Sequence, residues 1–339
     1  MAVRSIAAPV ALLAFSSLVG VIVLEIVGQN FVFTGSRAYF FADVDHRNAP
    51  YSTPEINGDG LRSLRRAEDF RARDVNLVML GDSFVFGGDL AYEDTIPAQF
   101  EAIARQGNPG RAINVANFGW VSSSPLLALR LLRDVGAKYR PDVVLLAVDM
   151  TDIHDDIKYQ QLLDRRGVFR LLSVTPSSVW LARKLVSLVP ALDALHMRWF
   201  GFPRDKFIIT ARPLHETRPL YAPIRRNIEA IARFSRDELA ARFVLFVLPR
   251  SYQYSDREAP ESWERFEYED LGPYVHEPFA YFEQMATAVD FPVHSLLETF
   301  QTTDVFPTCF RDDPHWNEAG AQLAARTMVT ACSQSGCFD

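Results

Sequence analysis

The chain has 339 residues, of which 48% are hydrophobic and 23% are charged, with 35 Lys and Arg against 42 Asp and Glu. This composition is that of a packed globular protein and excludes a disordered or collagen-like chain. The net charge of −7 gives no electrostatic footprint for nucleic acid, and three cysteines are too few to build a disulfide scaffold.

The amino terminus carries a long apolar segment. Residues 6–24 form a run of 19 residues without a charge, and a helix of that length nearly spans a hydrocarbon core of about 30 Å. We expect an uncleaved transmembrane anchor over residues 6–28. A cleaved signal peptide and a buried core helix are the alternatives, but no A-x-A site follows the run and only Ser16 and Ser17 interrupt its apolar surface.

The charges that flank this run predict its orientation. Arg4 precedes it, whereas Glu25 follows it and the next basic residue is Arg37. The positive-inside rule then leaves residues 1–5 as a cytoplasmic stub and exports the remainder, to the periplasm if the source is Gram-negative. An oxidising compartment would allow one disulfide among Cys309, Cys332 and Cys337, with one thiol left over.

Residues 29–72 read as a juxtamembrane connector and an arm, because Pro50, Pro54 and Gly58 interrupt any regular period. Beyond them, short apolar runs alternate with helical patterns. The runs predict strands at residues 75–80, 113–117, 143–148, 243–248 and 292–295. The helical patterns cover residues 97–104, 124–139, 224–241, 277–289 and 316–332.

This alternation predicts a three-layer α/β/α fold around a mainly parallel five-stranded sheet. We place that domain at residues 73–333, with an insertion at about 154–222 that breaks the rhythm, and a C-terminal tail at 334–339. The insertion is expected to be a cap or a membrane-proximal subdomain.

Residues whose side chains could take part in catalysis follow the predicted strands. Ligands of open parallel sheets bind at the carboxyl ends of the strands. Ser83 comes just after the first predicted strand and Gly119 shortly after the second, while Asp312 and His315 precede the predicted last helix. A serine needs a base, and His315 can serve once a carboxylate orients its ring. Asp312 has D-x-x-H spacing and is favoured for that role, with Asp313 left to cap the helix.

Four ordered blocks of this sequence resemble the SGNH (GDSL-type) hydrolases, and more closely their membrane-anchored bacterial branch. The blocks read LGDSFVFGG, NFG, YRPDVVLLAV and DPHWNEAGAQLAA. The resemblance covers about residues 54–153 and 240–332 and implies a flavodoxin-like sheet and ester hydrolysis through an acyl-serine at Ser83. It further implies that His315 is the base, that Asp312 orients it, and that backbone N–H groups of Ser83 and Gly119 form an oxyanion hole.

One block departs from the family pattern. Thr151 stands where the family carries an oxyanion-hole Asn; its hydroxyl is expected to donate in place of the amide, although loss of one donor costs roughly 100- to 1,000-fold in turnover. Two alternatives to ester hydrolysis stay open. One is an O-acyltransferase or deacetylase acting on cell-envelope polysaccharide. The other is a non-catalytic glycan-binding relative that uses exposed aromatic residues, for which Trp120, Trp180, Trp199 and Trp316 are candidates.

No sequence motif for a nucleotide or redox cofactor occurs in the chain, and we expect no cofactor. The acidic stretch around Asp152, His154, Asp155 and Asp156 is interpreted as a solvated loop and not as a metal site. The expected partners are an ester or acylated glycan substrate and the membrane, with no nucleic acid.

Overall fold

The computed structural model describes residues 3–27, 48, 50–164, 206–264 and 272–339. The chain divides into two compact units, one formed by Met1–Asp45 and Gln161–Arg204 and the other by His46–Gln160 and Asp205–Asp339. In the first unit, helix α1 spans Val3–Val27. Within the described residues, no helix reaches the length and hydropathy of a membrane-spanning segment, so the predicted anchor stays a prediction.

The second unit contains the predicted sheet. Its strands are β1 (Val75–Gly81), β2 (Ile113–Gly119), β3 (Val143–Val148), β4 (Arg242–Val247) and β5 (Val293–Ser295). They pair in the order β2-β1-β3-β4-β5, and every pairing is parallel. The prediction of a five-stranded parallel sheet is therefore confirmed.

Helices connect these strands. They are α2 (Ser83–Phe86), α3 (Ile96–Gly107), α4 (Pro125–Val135), α5 (Thr151–Asp164), α6 (Ile208–Ala211), α7 (Leu214–Thr217), α8 (Ala222–Leu239), α9 (Glu277–Ala286), α10 (Leu297–Thr302) and α11 (Glu318–Gln334). Short 3-10 turns lie at Ala67–Asp69, Tyr92–Asp94, Gly136–Tyr139, Arg218–Tyr221, Ser251–Gln253 and Gly272–Tyr274.

The strands are rich in apolar residues because both faces of the sheet are covered. Helices α3 and α11 contact each other and share one core with alternate strand residues such as Leu77 and Met79. Helix α4 contacts α8, which also contacts β4. A disulfide joins Cys332 and Cys337 at the end of α11, and Cys309 is a buried free thiol.

The predicted insertion at 154–222 is mostly outside the described residues. Its described ends are helical: α5 begins at Thr151, ahead of the predicted boundary, and α6 to α8 follow from Ile208. Residues 154–160 and 206–222 belong to the same unit as the sheet. Asp156 shows why helix α5 packs with the sheet domain. Its side chain accepts hydrogen bonds from Leu126 N–H (2.8 Å) and from Asn227 Nδ2 (2.6 Å) and so joins α5 to α4 and α8.

Candidate active site

The turn that follows β1 presents Ser83. The Asp82 side chain caps helix α2 by accepting a hydrogen bond from Phe84 N–H at 3.0 Å, and Ser83 is the first helical residue. A Cβ atom on Gly81 would lie 2.3 Å from Cγ2 of Val85, so only glycine lets the helix pack this closely onto the end of the strand. The carboxyl edge of the sheet thereby carries the Ser83 hydroxyl.

Ser83 forms a hydrogen-bonded chain with two residues from the loop before α11. Its Oγ atom lies 2.7 Å from Nε2 of His315. The other ring nitrogen, Nδ1, hydrogen-bonds to Oδ1 of Asp313, which also accepts the backbone N–H of His315 at 2.9 Å. Trp263 Nε1–H donates to the second Asp313 oxygen at 3.2 Å. A serine, a base and an orienting carboxylate are thus in contact in the geometry of nucleophilic catalysis.

The carboxylate partner differs from the sequence prediction. Asp313 contacts the ring of His315, whereas Asp312 is exposed and makes no described contact with it. The reason is local: an Asp side chain readily accepts the N–H two residues further on. For Asp313 that residue is His315, but for Asp312 it is Pro314, which has no N–H. The prediction of Asp312 as the orienting residue, and of Asp313 as a helix cap, is corrected accordingly; Asn317 caps α11 instead.

The environment of Asp313 keeps it ionised. Partial burial opposes the charge, but hydrogen bonds from the His315 ring and backbone outweigh it and lower the pKa of Asp313 to about 2. A carboxylate that is charged at every working pH can fix the tautomer of the imidazole and stabilise an imidazolium.

Gly119 lies at the end of β2 against the helix that carries Ser83. A Cβ atom at Gly119 would lie 2.3 Å from the backbone nitrogen of Phe86, so the close approach requires glycine. Its N–H, however, donates to Oδ1 of Asn117 at 2.8 Å. The predicted oxyanion donor therefore has a protein acceptor in this structure, while the N–H of Ser83, as the first of a helix, has no acceptor within the helix.

Thr151 is also engaged within the protein. Its hydroxyl and its backbone N–H both donate to Oδ1 of Asp149, each at 2.6 Å. The threonine that replaces the expected Asn thus uses its hydroxyl proton to hold the turn after β3, and the prediction that this hydroxyl faces an oxyanion does not match the contact that it makes.

Sequence reasoning missed Arg250, which lies just after β4. This side chain is 4% exposed and pairs with Asp149 at 2.5 Å and with Glu264. Its guanidinium also lies 5.5 Å from the centre of the ring of Phe84, which belongs to helix α2 together with Ser83. The only signal in the sequence is its place after a strand, at the same edge as the other site residues.

Three carboxylates lie close together next to the turns that follow β1 and β3. Oxygen atoms of Asp82, Asp149 and Asp152 lie within 4.8 Å of one another, and Asp152 accepts the N–H of Asp149 at 2.8 Å. Burial, together with the charge of Asp149, raises the pKa of Asp82 to about 7, and burial raises the pKa of Asp152 well above its ordinary value. Asp149 is the member of the group that pairs with Arg250.

The arm before β1 also supports the site. Arg62 is 5% exposed and donates to the carbonyls of Phe86 (3.1 Å), Gly87 and Leu90 (2.7 Å). Glu55 accepts from Nε of the same guanidinium at 2.8 Å. One buried cation therefore fixes the loop from α2 to Leu90, which is a wall of the pocket described next.

A pocket of about 100 Å³ opens beside Ser83 and His315. Most of its wall is apolar, and Asp89 contributes a carboxylate. The other lining residues are Phe84, Gly87, Gly88, Leu90, Ile96, Val121, Phe310, Trp316 and Ala321.

Two groups of described residues have the composition of metal ligands. One is the buried Asp82 group described above, where Asp149 is paired with Arg250. The other contains Asp89, Asp313 and His315, whose ring nitrogens already contact Ser83 and Asp313. Hydrogen bonds and an ion pair account for these contacts.

The predicted glycan-stacking tryptophans do not line an open surface where they are described. Trp120 and Trp316 are each 2% exposed, and Trp316 stacks on Phe300 with ring centres 4.5 Å apart. Trp180 and Trp199 lie outside the described residues. The exposed tryptophan at the site is Trp263, at 55% exposure.

Comparisons with known proteins add the following. No protein-family model and no curated protein matches the chain. Among solved structures, the chain is similar to a lipase/acylhydrolase from Enterococcus faecalis (13% identity, TM-score 0.42, 77% of this chain and 96% of that chain). It is also similar to a GDSL-like lipase from Bacteroides thetaiotaomicron (11%, 0.41, 79% and 98%) and to a lipolytic protein G-D-S-L family member from Veillonella parvula (13%, 0.40, 77% and 97%).

Proposed function

We propose that this protein is a serine hydrolase that cleaves an ester through an acyl-serine intermediate at Ser83. The observation that carries the proposal is the chain of contacts from Ser83 Oγ through the His315 ring to Asp313. A binding protein has no physical need for an acceptor nitrogen 2.7 Å from a serine hydroxyl and a charged carboxylate behind it.

In the first half of the reaction, Ser83 Oγ bonds to the ester carbonyl carbon while its proton passes to Nε2 of His315. The tetrahedral intermediate collapses, the C–O bond to the alcohol breaks, and His315 returns the proton to the departing oxygen. Water then attacks the acyl-serine with His315 as base, which releases the acid and restores Ser83. Asp313 remains charged and holds the ring in the tautomer that leaves Nε2 free to accept.

The oxyanion hole of this scheme is sparse. Ser83 N–H is the donor with no acceptor within its own helix, whereas Gly119 N–H and the Thr151 hydroxyl already have protein acceptors. The N–H of Gly119 can donate to the oxyanion only if it gives up its hydrogen bond to Asn117 Oδ1. Since each donor contributes roughly 100- to 1,000-fold, we expect a slow enzyme and not an inert one.

A fluorophosphonate probe tests the proposal without knowledge of the substrate. The full chain in detergent is treated with the probe, and peptide mapping by mass spectrometry locates the adduct. We expect one adduct on Ser83 that disappears in Ser83→Ala and falls sharply in His315→Ala. A folded protein without any adduct would refute the hydrolase and leave the non-catalytic relative as the better explanation.

Membrane attachment and export are part of the same proposal. Their support is the uncharged run at residues 6–24 with Arg4 before it and Glu25 after it. Alkaline carbonate extraction of membranes from cells that express the full chain separates an integral protein from a peripheral one. Release of the protein into the supernatant would contradict the anchor. Protection from added protease in spheroplasts, whose outer membrane has been opened, would contradict export.

A further inference from the structure

The pocket beside Ser83 has a buried, apolar side. Leu90, Ile96 and Ala321 belong to the hydrophobic core and are each less than a tenth exposed, so they form its inner wall. Val121, at 42% exposure, and the exposed Asp89 lie at its outer rim. An alkyl chain gains free energy inside such a wall, whereas an alcohol that must leave and be replaced by water needs the open side.

The size of the pocket sets a limit on that alkyl chain. An apolar protein cavity of about 150 Å³ holds a benzene molecule, which corresponds to roughly 25 Å³ per carbon atom. On this scale the volume of about 100 Å³ holds about four carbon atoms.

We propose that this pocket receives the acyl group and restricts the enzyme to short acyl groups, in which the alkyl chain has about four carbons or fewer beyond the carbonyl carbon. Leu90 is the residue that sets the limit. The inference rests on the proposed function, because it assigns the pocket to the acyl-serine at Ser83.

The wall is held in place and does not simply yield to a longer chain. Arg62 Nη2 donates to the carbonyl of Leu90 at 2.7 Å, and two further carbonyls of the same loop bind the other guanidinium nitrogen. Moving Leu90 outward would break a hydrogen bond to a buried cation, which is costly. Truncation of the Leu90 side chain, by contrast, keeps its carbonyl and enlarges the pocket by about three carbons, or roughly 75 Å³.

The test uses p-nitrophenyl n-alkylphosphonates from ethyl to octyl, which phosphonylate an activated serine with loss of p-nitrophenolate and need no turnover. The rate of Ser83 labelling in the full chain is measured by intact mass. We expect it to rise about fourfold per added methylene, equivalent to about 0.8 kcal/mol, up to butyl, and to fall at least tenfold by octyl. Leu90→Ala should move the optimum to hexyl or beyond, and the milder Ile96→Val should move it by about one carbon.

Leu64→Ala is the matched control, because it makes the same change on an exposed side chain that does not line the pocket and should leave the optimum at butyl. An optimum at octyl in the unmodified protein, or an optimum that neither Leu90→Ala nor Ile96→Val moves, would overturn the short-acyl proposal while labelling of Ser83 upheld the hydrolase. No labelling at any chain length, or with the fluorophosphonate, would overturn both.

Discussion

Asp313→Asn tests the residue at which the structure differs from the prediction made from the sequence. Asparagine keeps the shape of the side chain, but its amide can donate to Nδ1 of His315 and so favours the tautomer with the proton on Nε2. That nitrogen then donates to Ser83 Oγ, now 2.7 Å away, and cannot take its proton. The same change in other serine triads lowers turnover by about 10,000-fold. Because the Asp313 side chain is 28% exposed, we expect about 1,000- to 10,000-fold here, or about 4 to 5 kcal/mol of transition-state stabilisation.

Asp312→Asn is the control, since it makes the same chemical change one residue earlier on an exposed side chain. We expect its effect to be under about threefold. The assay is the hydrolysis rate of p-nitrophenyl acetate together with the labelling rate of Ser83, and thermal unfolding verifies that both variants are folded. The reasoning fails if Asp313→Asn keeps more than a tenth of the rate, or if Asp312→Asn loses as much as its neighbour.

Three further outcomes follow from the buried groups. Arg250→Met removes the ion-pair partner of Asp149 and should lower the free energy of unfolding in urea by about 3 to 5 kcal/mol. Arg236→Met, in an exposed pair, should leave that free energy almost unchanged. Equal effects of the two changes would contradict the buried network. The pKa of Asp82 is about 7 in the folded protein and ordinarily 3.8, so the unfolded chain loses that proton first and stability should fall as pH rises from about 4 to about 7. In Asp82→Asn, the free energy of unfolding, measured by urea titration at each pH, should fall less steeply over that range. An unchanged dependence on pH would contradict the raised pKa of Asp82. Thr151→Val should cost about 1 to 3 kcal/mol of stability by removing the hydrogen bond to Asp149, with hydrolysis within about threefold of the unmodified protein; a loss of 100-fold would return Thr151 to the oxyanion hole.

The sheet could be predicted because its strands carry their own signal. Residues 143–148 are continuously apolar, and β3 spans Val143–Val148. The predicted strands at 75–80 and 243–248 differ from β1 and β4 by a single residue at their ends. Burial on both faces favours a continuous apolar run in such a segment, so the ends of the strand can be predicted from the sequence.

Contacts across the sequence carry no such signal. Arg250 lies 101 residues from Asp149, and nothing in either segment specifies the other. The same holds for Arg62, whose acceptors at the pocket wall are 24 to 28 residues away. The pair of Arg250 and Asp149 follows from strand order, which places the ends of β3 and β4 side by side.

The choice between Asp312 and Asp313 is a different case, because the information was local. The D-x-x-H spacing specifies only how many residues separate the carboxylate from the histidine along the chain. The hydrogen bond that shapes the loop instead joins an Asp side chain to the N–H two residues later, and Pro314 denies that bond to Asp312 while leaving it to Asp313. Once the Asp313 oxygen has accepted the N–H of His315, the same oxygen is within reach of Nδ1. The backbone of a D-P-H turn therefore selects the orienting carboxylate before the imidazole does, and the proline in the motif is the residue that decides it.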